Sequence, residues 1–276
     1  MNHHRRRFIA ASASLGLGQI PALGLAAELA GTSGRRAITR REVDDLQNKL
    51  VAGHFTCVRT PESGDGPFYY ESSPARRNLS EGRKGLPLRL GITVANATVA
   101  GSTCAPIPNA VVDVWHADAD GMYSNVGGDL QTLDTRGQTF MRGHQTTDSA
   151  GYVEFDTVVP GWELVSVPPP QDQVLRATHI HLKVFHEYKV VTTQLYLPDP
   201  FLDQLYASVD PYQKHRKMTA PGLKRSFERI RNTDDGIFLA DRSRPMQVQR
   251  ESGGIFAQAK IGIVTLGSRG IDSLFR

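Results

Sequence analysis

Cysteine is scarce, with two in 276 residues. At most one internal bridge can form, which excludes a disulfide-dense miniprotein. Charge of one sign is scarce as well: 32 lysines and arginines stand against 28 aspartates and glutamates, a formal net charge of +4. Without Arg5, Arg6, Arg7 and Glu28 that excess falls to +2. No Lys/Arg run is interleaved with aromatics, so nothing here matches the footprint of a nucleic-acid binder. Past residue 30 no segment is long and apolar enough to span a bilayer, and no internal repeat is visible. What is present suffices for folding. With 39% apolar and 22% charged residues the chain can bury a proper core, which excludes disorder, and its length suits one large domain or two small ones.

Residues 1–30 read as an address. Arg5-Arg6-Arg7-Phe8-Ile9 opens an apolar stretch rich in Ala, Gly, Ser and Leu, with small residues near Ala26-Ala27. This is the layout of a secretory signal, and the consecutive arginines resemble the twin-arginine variety. The expectation is export to the periplasm or beyond, without stable membrane insertion afterwards. An uncleaved anchor is the competing reading, and Pro21 with the many small residues makes this a poor spanning helix. Twin-arginine substrates cross folded, often with a cofactor inserted, which hints at a bound group.

The remainder reads as an N-terminal helical segment, 31–53, followed by one β-rich domain, 54–276. Thr39 and Glu42 have capping-box spacing, and Val43, Leu46 and Leu50 recur at helical intervals, predicting a helix over 40–51. The period then changes to two, in Leu86–Val94 and Ala110–Trp115. Tyr152–Val158, His179–Phe185, Val190–Leu197 and Phe256–Leu266 are further strand candidates. Gly127-Gly128-Asp129, Asp148–Gly151, Pro160-Gly161 and Pro168-Pro169-Pro170 mark turns between them. The pattern predicts an all-β antiparallel sandwich with a few peripheral helices. One of these helices is opened by Asp199 as N-cap and Pro200 at the first helical position, and runs near Phe201–Ser208.

His179-Ile180-His181 lies within a strand candidate, and residues i and i+2 of a strand share a face. Two imidazoles on one face can grip a metal, and imidazole suits iron, copper or zinc. By itself the triplet is weak evidence for a metal, and a solvated pair or a polar barrel rim is the more ordinary reading.

The ordered series around it is more specific. Cys104 to Trp115 leads into Gly121-Met122-Tyr123-Ser124, then Arg142-Gly143-His144-Gln145-Thr146-Thr147-Asp148 and Pro160-Gly161-Trp162. Arg176-Ala177-Thr178-His179-Ile180-His181 and Thr193-Gln194-Leu195-Tyr196 complete it. This series resembles the intradiol ring-cleavage dioxygenases, the catechol and protocatechuate type, and among them the exported single-domain subgroup. Thr60-Pro61-Glu62 with Gly66-Pro67-Phe68-Tyr69 resembles that group's opening motif, with Asp65 in place of Glu and Phe68 in place of Tyr. The likeness covers roughly residues 55–200.

The resemblance implies a transthyretin-like (prealbumin-like) β-sandwich holding one mononuclear non-haem Fe(III). It also implies an enzyme that inserts O2 into a catechol-type ring and opens it to a muconate-type dicarboxylate. Its partners are then a small aromatic diol and O2, with no nucleic acid, and the oligomeric state stays open, a homodimer included. Carried over by motif, the metal ligands are Tyr123, His179 and His181. Tyr123 and Arg176 take the catalytic places, with Arg176 and Gln194 facing the substrate. The family's second tyrosine falls on Glu163, after Pro160-Gly161-Trp162. Tyr152 is a poor replacement, because it sits on a strand with Glu154 and Asp156 on its face. Glu163 is a hard anionic donor suited to iron. A set of two histidines, one phenolate and one carboxylate nevertheless has a weaker preference for the ferric state. A catalytically altered or inactive metal- or aromatic-binding protein is therefore the alternative, and a zinc hydrolase on His179, His181 and Glu163 is a further one. Cys57 and Cys104 fall where exported relatives tend to carry cysteine, which implies a disulfide, free thiols or a ligand role being the other options. His116 and His144 lie off the ligand positions, and His54, His186 and His215 have no partner signal.

Overall fold

The computed structural model describes residues 59–97, 104–128, 130–166, 173–215, 217–219 and 226–265. The signal stretch 1–30, the segment 31–53 with its helix at 40–51, and Cys57 lie outside them. In chain order the strands are β1 (Pro87–Asn96), β2 (Val111–Trp115), β3 (Arg142–Thr146), β4 (Tyr152–Val158), β5 (Leu164–Ser166) and β6 (Gln173–Leu175). There follow β7 (His179–His186), β8 (Lys189–Tyr196), α1 (Asp199–Ser208), β9 (Lys217–Thr219), β10 (Ser226–Glu228), α2 (Gly236–Ala240), β11 (Gln247–Glu251) and β12 (Gly254–Ile263). Two four-stranded sheets result, in the orders β11-β12-β1-β4 and β3-β2-β7-β8, besides the two-stranded ribbons β5-β6 and β9-β10.

Alternation drives both sheets. Leu88, Leu90, Ile92 and Val94 of β1 join Val112 and Val114 of β2 and Ile180, Leu182 and Val184 of β7 in one core cluster that draws on both sheets. Each such side chain contributes roughly 1.5–3 kcal/mol on burial. That fixes the register of β7, because a slip of one residue would drive His179 and His181 into the core and Ile180 out of it.

Three features depart from the sequence expectation. β1 and β12 pair in parallel, Leu88 opposite Ile255 through Asn96 opposite Ile263, so the first sheet is mixed rather than wholly antiparallel. The strand β3 is polar, Arg-Gly-His-Gln-Thr, and so gives no apolar alternation to find. Finally, α1 is capped by Pro198, which offers no side-chain bond. The Asp199 carboxylate is turned away to accept from Arg229 Nη1 at 2.9 Å and from the Asn232 amide at 3.0 Å.

Candidate active site

The face of the second sheet opposite the core carries the chemistry. Residues directly across from one another on antiparallel strands share a face, and the pairing Arg142–Trp115–His181–Gln194 runs across β3, β2, β7 and β8. His179 lies opposite Tyr196 in the same layer. All six side chains are buried, and the Trp115 ring stacks on His181 with centroids 4.8 Å apart and planes at 8°. Over them lies the segment 63–73. Gly66, at φ +71°, comes so close that a Cβ there would sit 3.1 Å from His181 Cε1. Asp65 fastens this strap, accepting from Lys183 Nζ at 2.8 Å and Thr192 Oγ1 at 2.7 Å.

His179 Nδ1 lies 2.7 Å from Ala177 O and must donate to it, which assigns the lone pair to Nε2. That lone pair faces His181 Nε2 at 3.0 Å, while His181 Nδ1 is buried without a partner among the described residues. Burial holds both rings neutral: it pushes His179 below the ordinary histidine value and His181 well below it.

Two interlocked glycine turns bring Tyr123 and Glu163 to this pair. A Cβ on Gly121 would meet Trp162 O at 2.3 Å, and one on Gly161 would meet Ala119 O at 2.4 Å, so only glycine lets the two loops touch. Gln131 and Thr135 bind the Tyr123 backbone on both sides, and Phe68 packs against its ring at 4.7 Å. Glu163 Oε1 lies 3.7 Å from His179 Nε2. Burial, then the charge of Glu163 and hydrogen bonding to it, raise Tyr123 well above the usual phenol range.

Arg176 forms the neighbouring group. Its Nε donates to Asp235 Oδ2 at 2.9 Å, and its Nη2 donates to Gln194 Oε1 at 2.5 Å and Tyr196 Oη at 2.9 Å. Burial alone would lower its affinity for the proton, but Tyr196 and Asp235 outweigh it and hold the guanidinium charged. Asp235 also caps α2 through the amides of Ile237 and Phe238, and Phe238 packs edge-on against Tyr196 at 4.9 Å. At the other end of α2, Asp241 accepts from Ser63 of the strap at 2.6 Å.

Two imidazole nitrogens bound to one ion at about 2.1 Å and a right angle lie ~3 Å apart, the spacing of the two Nε2 atoms. A cation between them would also free the His181 Nδ1 to carry the ring proton. The residues present therefore fit a metal. Among the described residues no three His, Cys, Asp or Glu side chains assemble as a cage of their own, so the donor set depends on the phenol of Tyr123.

The remaining candidates fall elsewhere. Tyr152 donates to Glu154 on the first sheet, His116 is bound between Thr157 and Ala117 O, and His144 bonds Ser73. His186 ends β7 beside Glu187. Sequence reasoning missed Asp235, Trp115 and the capping role of α2. An Asp-Gly step that could start a helix is the only signal for Asp235.

Residues 64–217 match the family described as Dioxygenase. The chain belongs to the intradiol ring-cleavage dioxygenase family. A chlorocatechol 1,2-dioxygenase of Rhodococcus opacus is 30% identical over 160 residues, covering 52% of this chain and 59% of that one. Catechol 1,2-dioxygenase 2 of Acinetobacter lwoffii is 33% identical over 159 residues, 52% of this chain and 53% of its own. The chain thus spans between half and two thirds of the length of these curated relatives. Among solved structures of the family, a dioxygenase is similar at TM-score 0.58 and 25% identity, over 76% of this chain and 96% of its own. An intradiol ring-cleavage dioxygenase from Tetranychus urticae has a similar fold, at TM-score 0.59 and 24% identity, over 76% of this chain and 96% of its own.

Proposed function

We propose that the protein is an exported, non-haem iron(III) dioxygenase that cleaves catechol-type rings between the two hydroxylated carbons, giving a muconate-type dicarboxylate. The observation that carries this reading is the convergence of the His179 and His181 Nε2 atoms with Tyr123 and Glu163 on one buried face. The two sheets then form the transthyretin-like sandwich of the family, and Cys57 bonds Cys104.

A bound ferric ion supplies activation of the diol ring toward O2. His179 and His181 are its neutral donors, Tyr123 its anionic donor and Glu163 the fourth. Glu163 is placed to take a proton that the diol gives up on binding. Arg176, its direction fixed by Asp235 and Gln194, offsets negative charge that develops on the ring. The strap at 63–73 covers the reacting face beside His181 and Trp115.

Metal analysis, a visible spectrum and oxygen uptake with a panel of catechols test the reading. We expect one iron per chain, a phenolate absorption band, and loss of both in a His179→Ala, His181→Ala double variant. Zinc at full occupancy overturns it. Glu163→Tyr should deepen the band and speed ring cleavage, and an unchanged spectrum means that residue 163 does not face the metal. The second reading, a binding protein without catalysis, is favoured by Glu163 at the family's tyrosine position. It takes over if iron is bound while oxygen uptake stays at background in the Glu163→Tyr protein too.

A further inference from the structure

Arg142 is a cation in the interior, 2% exposed, on the same face and in the same cross-strand row as His181. Among the described residues its side-chain hydrogen bonds go to Ser124 alone, Nε to Oγ at 2.9 Å and Nη2 to the carbonyl at 2.7 Å. Among the described residues no carboxylate forms an ion pair with it. A buried guanidinium without an anion is costly. Ser124 follows Tyr123, whose backbone Gln131 and Thr135 already secure. The nearby carboxyl of Asp113 is engaged by Ser73 at 2.7 Å. Of the groups whose charge acts on Arg142, Tyr123 stands first, ahead of Asp113 and Tyr70.

We propose that Arg142 is a positioning residue for the metal centre: its buried charge is the counter-charge of the Tyr123 phenolate, and its fork on Ser124 holds that charge at the ligand's side. This rests on Tyr123 being a ligand. It assigns the strand β3, through Arg142, a part in the site. A neutral phenol gains little from the cation, whereas a phenolate in a dry interior is stabilised by it in addition to the charge of the bound iron.

The test uses the full-length protein carrying Arg142→Gln or Arg142→Lys, each alone and combined with Tyr123→Phe. Iron(III) affinity is measured by chelator competition, the phenolate band by visible spectroscopy, and folding by urea titration. Arg142→Gln should weaken iron binding by about tenfold or more, as loss of a supporting partner does, and shift the band. Arg142→Lys, which keeps the charge, should stay near the parent in both. In the Tyr123→Phe background the band should be gone and Arg142→Gln should leave affinity nearly unchanged. Equal losses from Arg142→Gln with and without the phenol make Arg142 a structural residue and overturn the proposal alone. A Tyr123→Phe protein that keeps the band removes the phenolate ligand and overturns the parent reading with it. If Arg142→Gln does not fold, Arg142→Lys decides: retained affinity and band support the proposal, and a tenfold loss in a folded protein overturns it.

Discussion

At the scale of the residue, His116 shows how burial writes a pH dependence into the fold. It is 0% exposed, Nδ1 against Ala117 O at 2.7 Å and Nε2 against Thr157 Oγ1 at 2.9 Å. Burial lowers its pKa to about 4, against the partial support of the Ala117 carbonyl. The unfolded chain takes up this proton near ~6.5 and the folded one not until about 4, so the unfolded state binds more protons between those values. The contribution is complete above ~6.5 and is lost as pH falls toward 4, to a total of about 3 kcal/mol. Urea titrations at pH 7 and pH 4.5 should show a larger loss for the parent than for His116→Gln, by roughly 2–3 kcal/mol. Equal losses would mean that His116 is not the group excluding the proton. Glu163 belongs to the same scale. One side chain at a turn, rather than any change of fold, separates this site from the two-tyrosine pattern it resembles.

At the scale of the element, the short helix α2 is tied down at both ends. Asp235 at its start accepts from Arg176 Nε, from the Ala177 amide and from two amides of the helix itself. Asp241 at its end accepts from Ser63. No residue of α2 is buried, so its place is set by these polar ties rather than by a core face. Asp235→Ala leaves the Arg176 charge unpaired in the interior, and breaking a buried pair in this way costs about 3–5 kcal/mol. Asp235→Asn retains an acceptor oxygen and should lose less. Denaturation of both variants checks this, and a cost for Asp235→Ala below about 1 kcal/mol would show that the pair carries little of the local stability. β3 makes the complementary point: its polar side chains are placed by tertiary contacts, Arg142 on Ser124, His144 on Ser73 and Gln145 on the Glu154 carbonyl, while its pairing with β2 supplies the backbone bonds.

At the scale of the whole molecule, the predicted Cys57–Cys104 bridge would tie the segment leading into the strap to the chain just before β2. Cys57 lies outside the described residues, so chemistry has to decide. Thiol titration of the protein purified from an oxidising compartment, under denaturing conditions without reductant, should find no free thiol. Reductant should then lower stability by about 2–4 kcal/mol, the usual worth of such a bridge. Two reactive thiols in protein taken from an oxidising compartment end the idea.

The amino-acid sequence alone determined the strongly alternating strands and the side of β7 that bears the histidines. Both follow from a period of two, which is local and survives in any register that buries Ile180, Leu182 and Val184. The motif series likewise named Tyr123, Glu163, His179, His181, Arg176 and Gln194, which the fold gathers on or beside one sheet face. Tertiary structure alone decided the parallel pairing of β1 with β12, the stacking of Trp115 on His181, the closure of the strap by Asp65, and the grip of Asp235 on Arg176. Each of these joins residues far apart in the chain. No local pattern encodes them, because the contact exists only once the core has fixed which strands are neighbours and in which register.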